Sequence, residues 1–242
     1  MDASPSFVGP FSSVWPWATP LPGARLVATR FDPALFFEQG DDGCHGITLP
    51  PRLRSAVAKR QAEFIAGRLC ARRSLHLLDG RNEVPGMHED RSPHWPDGYV
   101  GSITHSDGWA AAVVAHRQVF MGIGLDAERL LDEGQALRLV RKVLTPHEAK
   151  RLEPSDIRLI VSATFSLKES LFKALYPMVG RMFHFQAAEL VAWNGIGPVR
   201  LRLLTDLGNG WSAGREVAGE ICVFEGRLLS LVAVPAQHCD TD

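Results

Sequence analysis

Three short segments of this 242-residue sequence gather residue types that handle phosphate and cations. Gly101-Ser102-Ile103-Thr104-His105-Ser106 sets hydroxyls, a histidine and turn amides at the end of a strand-like run. Each of those groups can donate to anionic oxygen. The second segment is Gly122-Ile123-Gly124-Leu125-Asp126-Ala127-Glu128. It is not a dinucleotide fingerprint, because Asp126 stands where the third glycine would fall. If the strand continues through Glu128, its period of two puts Asp126 and Glu128 on one face. Two carboxylates so placed can share a hard cation, and Mg²⁺ uses one or two carboxylates beside phosphate oxygens and water. Two solvated acids at a strand end fit the same spacing.

The third segment is Phe165-Ser166-Leu167-Lys168-Glu169-Ser170-Leu171-Phe172-Lys173. At about 100° per residue, Phe165, Leu167, Leu171, Phe172 and Leu175 form one apolar arc, and Lys168 falls inside it. A lysine there must snorkel out, pair or meet an anion, since burial alone is costly. Glu169 sits at the edge of the arc with Lys173 one turn on. As a surface pair at i,i+4 these two would contribute about 0.2–0.5 kcal/mol. An earlier basic stretch repeats the oddity: Val57, Phe64, Ala71 and Leu75 make a stripe with Arg68 in its middle. Gly67 beside it permits close backbone approach, and Arg60 lies two turns before. A bidentate phosphate contact and a salt bridge to an internal carboxylate both suit Arg68.

The elements that must position these residues follow from pattern. Residues 1–23 are rich in proline, serine and tryptophan and read as an irregular arm. Ala24–Phe31 alternates like a strand, and a helical pattern runs from Arg52 to Leu78, ended by Asp79-Gly80. Asn82 to Gly98 reads as loop. Strand-like runs follow at Tyr99–His105, Trp109–His116 and Val119–Asp126, the first two joined by the hairpin signal Asp107-Gly108. Helical patterns dominate from Leu130 to about Tyr176, with Thr145-Pro146-x-Glu148 as N-cap, first-turn proline and capping glutamate. Strands return at Val199–Leu204, Glu220–Phe224 and Leu228–Val234. The order predicts an α+β (α/β) chain with an N-terminal lobe over 24–120 and a C-terminal lobe over 121–242.

Composition narrows the class. With 45% apolar and 22% charged residues, the chain is neither disordered, collagenous nor a coiled coil. The net charge of −1 argues against a nucleic-acid binder. Locally the balance differs: Pro51–Asn82 holds eight basic against two acidic residues, and Gln135–Met182 nine against four. Such segments suit a polyanionic ligand, an acidic protein partner, or simply the solvated faces of basic helices. The longest strongly apolar run, Trp109–Ala115, is far short of the ~18–20 residues that span a bilayer. The proline-broken start, with no basic residue before Arg25, is unlike a secretory signal. Four scattered cysteines make neither a disulfide framework nor a zinc site. A cytoplasmic protein is expected.

In order and spacing, GSITHS at 101–106, GIGLDAE at 122–128 and FSLKESLFK at 165–173 resemble the three motifs of the 4′-phosphopantetheinyl transferases. KRQAEFIAGRLCAR at 59–72 is similar to the larger, two-lobed type that activates siderophore, surfactin and enterobactin synthetases. Phe165 departs from the tryptophan many relatives carry. The resemblance implies two similar lobes in pseudo-twofold arrangement, each a small sheet with packed helices, with coenzyme A in the cleft between them, and a monomer. It implies transfer of the phosphopantetheine arm of coenzyme A to a serine of an apo acyl or peptidyl carrier protein, releasing adenosine 3′,5′-bisphosphate. It further implies Asp126, Glu128 and Glu169 as ligands of Mg²⁺ (or Mn²⁺), with Glu169 as general base. Lys173 and Lys168 would balance the pyrophosphate, and Thr104 and His105 would bind phosphate. Arg60, Arg68 and, more weakly, Arg91 would hold the adenosine end. Carrier proteins of this kind are acidic, which suits the basic segments.

Three rival functions meet obstacles in the sequence. A different Mg²⁺-dependent phosphoryl or nucleotide transferase would need a phosphate-cradling loop, and no G-x-x-x-x-G-K-[ST] is present. A non-catalytic coenzyme A or nucleotide sensor would have no need of all three carboxylates. A scaffold docking an acidic protein leaves Lys168 and Arg68 unexplained in their apolar stripes.

Overall fold

Asp107 and Gly108 both adopt left-handed backbone, φ 44° and 70°, the geometry that a two-residue hairpin turn requires. The hairpin they close lies in the first of two units of the structure, a computed structural model that describes residues 6–36 and 46–236. One unit holds Met1–Trp15 and Leu21–His116, the other Pro16–Pro20 and Arg117–Asp242, as far as these are described. Each pairs an antiparallel sheet with helices, so the chain is mixed α+β, as expected.

In the first unit the chain order is β1 (Val8–Ser12), β2 (Ala24–Phe31), α1 (Pro51–Arg54), α2 (Ala58–Asp79), β3 (Gly86–Met87), β4 (Pro93–His94), β5 (Tyr99–His105) and β6 (Trp109–His116). The main sheet runs β1-β2-β6-β5. The alanines of β6 are fully buried, and their small size lets α2 lie close against the sheet. Ser74 Oγ donates to the Ala112 carbonyl at 3.0 Å. A Cβ on Gly67 would come within 2.7 Å of Ile103 on β5, so the glycine beside Arg68 serves helix–sheet contact.

Three local expectations change. The arm contains a strand, Val8–Ser12, whose pairing with β2 shifts register between Val8 and Phe11; an edge strand with an irregularity tolerates Pro10. The helix expected from Arg52 to Leu78 is broken at residues 55–57, where Gln61 Nε2 donates to the Arg54 and Ala56 carbonyls and so caps α1. The loop from Asn82 to Gly98 contains the short β3–β4 pair.

The second unit contains β7 (Phe120–Glu128), α3 (Glu133–Val143), α4 (Pro146–Lys150), α5 (Ile157–Val179), β8 (Ala188–Ala192), β9 (Gly197–Leu203), β10 (Glu216–Phe224) and β11 (Arg227–Pro235). Its sheet order is β7-β11-β10-β9-β8. Strand β7 extends to Glu128, two residues past the strand-like run read from the sequence, which meets the condition for Asp126 and Glu128 to share a face, and α4 opens with the expected Thr145/Glu148 capping box. The short strand β8 escaped the pattern. The core is the apolar face of α5, with Leu167, Leu171 and Leu175, laid on the sheet residues Leu201, Ile221 and Val232.

The glycines of β7 explain how closely α5 approaches. A Cβ at Gly124 would overlap the Ser170 carbonyl oxygen, and one at Gly122 that of Ala174. G-x-G is therefore a packing signature of strand against helix backbone. Gly124→Ala should cost about 1–3 kcal/mol through overpacking. Chemical denaturation measures it, and parental stability would mean that α5 can retreat from β7 freely. Among the described residues no helix is long and apolar enough to cross a membrane. Cys70 and Cys222 are buried free thiols; Cys44 and Cys239 lie outside the described residues.

Candidate active site

In the second unit, the close crossing of α5 over β7 brings together residues 40 or more positions apart in sequence. Asp126 is buried, and its two oxygens have different partners. Lys173 Nζ donates to Oδ1 at 2.7 Å and to the Leu125 carbonyl at 3.0 Å. Ser166 Oγ donates to Oδ2 at 2.9 Å. Lys173 is thus bonded to β7 and makes no simple surface pair with Glu169. Glu128 and Glu169 are half-buried beside them. Burial, together with the charges of Asp126 and Glu169, pushes the Glu128 carboxyl up to about 7 against the pull of Lys173. Burial also raises Glu169, with Asp126 adding and Lys173 and Lys142 opposing. Glu169 further lines a cavity of about 190 Å³ walled by Phe172, Phe183 and Phe185.

Lys168 is the clearest departure. It was expected to balance pyrophosphate charge, yet its side chain is only 2% exposed, and Nζ donates to Glu148 Oε2 at 2.7 Å and the Val143 carbonyl at 2.8 Å. Of the three outcomes open to a lysine in an apolar arc, pairing is the one realised. Glu148 in turn accepts from the Thr145 and Leu190 amides, so one buried carboxylate ties α4 to α5 and β8. Burial lowers the Lys168 pKa while Glu148 holds it up.

The first unit holds a second polar group. Arg60 Nη1 donates to Glu63 Oε2 at 2.8 Å and to His105 Nε2 at 3.2 Å. A guanidinium only donates, so Nε2 accepts and the imidazole carries its proton on Nδ1, which lies 3.8 Å from Glu63. Arg60 keeps half its side chain in solvent. Thr104 and Ser102 are buried on the other face of β5, as strand alternation dictates. Arg68 is 5% exposed, stacks its guanidinium over Phe64 and donates Nη2 to the Gly86 carbonyl at 2.9 Å. Its Nε is buried and has no partner among the described residues, and burial brings its pKa down to about 10. Arg91 lies exposed in the β3–β4 turn with φ 78°.

Both units match family models. Residues 50–115 match the 4′-phosphopantetheinyl transferase N-terminal domain, and residues 122–225 the 4′-phosphopantetheinyl transferase superfamily. Enterobactin synthase component D of Salmonella typhi is 34% identical over 180 residues, 72% of each chain. The chain belongs to the 4′-phosphopantetheinyl transferase superfamily. The 4′-phosphopantetheinyl transferase Svp of Streptomyces mobaraensis is 37% identical over 191 residues, 75% of each chain. The transferase Npt of Nocardia iowensis is 38% identical over 141 residues, covering 57% of this chain and 62% of its own.

The donor set of this transferase suits a hard cation. Among the described residues no three His, Cys, Asp or Glu side chains form a metal cage by themselves. A cation that takes most of its coordination from water and phosphate needs none. Burial and, after it, the like charges of Asp126 and Glu169 push Glu128 upward, and a bound cation would offset both. Sequence reasoning missed Glu63, Glu148 as the partner of Lys168, and Ser166. Glu63 could have been found three residues after Arg60 on the same helix face. Glu148 was visible as a cap, and Ser166 lies inside a quoted motif, but neither spacing points to a distant partner.

Proposed function

We propose that this transferase works through Asp126, Glu128, Glu169 and Lys173. It moves the phosphopantetheine arm of coenzyme A to a serine hydroxyl of an apo acyl or peptidyl carrier protein and releases adenosine 3′,5′-bisphosphate. The observation that carries the assignment is the Lys173–Asp126 bond with two half-buried acids bearing on it. Asp126, Glu128 and Glu169 would hold Mg²⁺, or Mn²⁺, which when bound neutralises pyrophosphate oxygens and steadies charge on the leaving phosphate. Glu169 accepts the proton of the carrier serine as its oxygen attacks phosphorus, because a neutral hydroxyl is a weak nucleophile. Lys173 orients Asp126 and adds positive charge beside the phosphates.

Arg60, Thr104, His105, Arg68 and Arg91 take the phosphates of the coenzyme's adenosine end. The buried Nε–H of Arg68, unmet among the described residues, supports an anion there, and Glu63 holds Arg60 and His105 together in advance. The basic stretches at 51–82 and 135–182 support an acidic carrier protein. A cytoplasmic location agrees with the buried free thiols; a monomer is the expected state, and sedimentation at assay concentration checks it.

The test is the intact mass of an apo carrier protein after incubation with this protein, coenzyme A and Mg²⁺. A gain of one phosphopantetheine group, abolished by a chelator, is expected. Binding of coenzyme A without any gain would overturn the transfer assignment, and a gain that survives chelation would overturn the metal ligands. The rate should fall as salt screens the basic segments; a flat response would remove charge steering.

A further inference from the structure

Behind Asp126 lies a chain of three fully buried serines, Ser166 and Ser170 on α5 and Ser230 on β11. Ser166 Oγ is 2.9 Å from Asp126 Oδ2 and 2.8 Å from Ser230 Oγ. Ser230 Oγ is 2.8 Å from Ser170 Oγ, which is also 2.9 Å from the Ser230 carbonyl. Ser230 sits directly across the β7–β11 ladder from Asp126, so strand register and helix crossing converge on one carboxylate.

Packing does not require these hydroxyls. Close approach of helix and strand needs only small side chains, and Ala174 meets that need on the same stripe, against Gly122. Nor do the hydroxyls take the usual partner of a helical serine, the carbonyl one turn back. Ser162 does so, donating to the Arg158 carbonyl at 2.6 Å. Ser166 and Ser170 turn from their own helix toward the sheet.

Proton counting gives the chain a direction. Each hydroxyl has one proton. A carboxylate can only accept, so the proton of Ser166 goes to Asp126. Ser166 must then accept from Ser230, and Ser230 Oγ, with its proton given up, can only accept, so Ser170 shares its single proton between the Ser230 hydroxyl and the Ser230 carbonyl. We propose that Ser166 and Ser230 are positioning residues for the divalent cation: Ser166 holds Asp126 Oδ2 against the pull of Lys173 on Oδ1, and Ser230 acts through Ser166. This inference rests on the assignment of Asp126 as a metal ligand. Partners that orient a ligating side chain typically set about 10–100-fold of metal affinity.

The experiment is a Mn²⁺ titration of the full chain with coenzyme A present, followed by the electron paramagnetic resonance signal of the free ion. Ser166→Ala should weaken Mn²⁺ binding ~10–100-fold, while Ser162→Ala on the same helix leaves it at the parental value. Ser230→Ala should show a smaller loss alone and none on top of Ser166→Ala, since its effect passes through that hydroxyl. Asp126→Asn separates the two levels. If it binds Mn²⁺ like the parent, the metal assignment falls and this inference with it. If it loses Mn²⁺ while Ser166→Ala keeps it, the inference alone is overturned. Additive losses for Ser166→Ala and Ser230→Ala would overturn the passage through Ser166. Should Ser166→Ala fail to fold, Ser230→Ala decides, and unchanged affinity there overturns the chain.

Discussion

Glu169→Gln is expected to lower kcat about 10²–10⁴-fold, the range a positioned general base contributes. The substitution keeps size and shape but removes the negative charge, and with it both the capacity to accept the serine proton and part of the hold on the cation. Folding should not suffer. Burial raises the Glu169 carboxyl, so its charged form is held at a cost near neutral pH, and a neutral amide removes that cost. The melting temperature should therefore equal or exceed that of the parent. Saturating Mn²⁺ distinguishes the two roles assigned to this residue. Rate recovered at high metal would leave Glu169 a ligand only, whereas rate still depressed marks it as the base. Near-normal turnover at ordinary metal would remove it from the chemistry altogether.

Lys168→Met should act on stability and leave the coenzyme alone. Methionine matches the length of the lysine stem and suits the apolar arc, but it abandons Glu148 as a buried charge. Breaking a buried pair in this way costs about 3–5 kcal/mol. At roughly 2–4 °C per kcal/mol for a chain of this size, the melting temperature should drop by roughly 6–20 °C. Adding Glu148→Gln should recover part of the loss, because the uncompensated charge goes while an acceptor for the Thr145 or Leu190 amide remains. The KM for coenzyme A should change little in either variant. A raised KM with unaltered stability would instead return Lys168 to the pyrophosphate.

The placement of Lys168 illustrates what sequence could and could not settle. Its position inside an apolar arc was legible from helical period, and so was the need for a partner. The partner itself was not, because Glu148 lies 20 residues away on another helix and had an evident local role as a cap. The strand Val8–Ser12 was hidden for a different reason. Pro10 and the small polar residues around it lack a strand's pattern, and only an edge position with a register shift admits them. Residues 55–57 look as helical as their flanks, and the break there depends on the side chain of Gln61.

Local chemistry and periodicity alone determined the mixed α+β class, the Asp107-Gly108 turn, the Thr145/Glu148 cap and β7 as far as Asp126. Each of these rests on forces acting within a few residues. The family motifs likewise named Asp126, Glu128, Glu169 and Lys173 before any coordinates. Tertiary structure decided which of those groups touch. Lys173 bonds Asp126 across 47 residues, Ser166 reaches it across 40, and Lys168 turns to Glu148. Those choices follow from how near α5 can come to β7, and that distance is set by two glycines whose missing side chains make room for the helix backbone. A contact between distant segments depends on that shared packing, which no local pattern encodes.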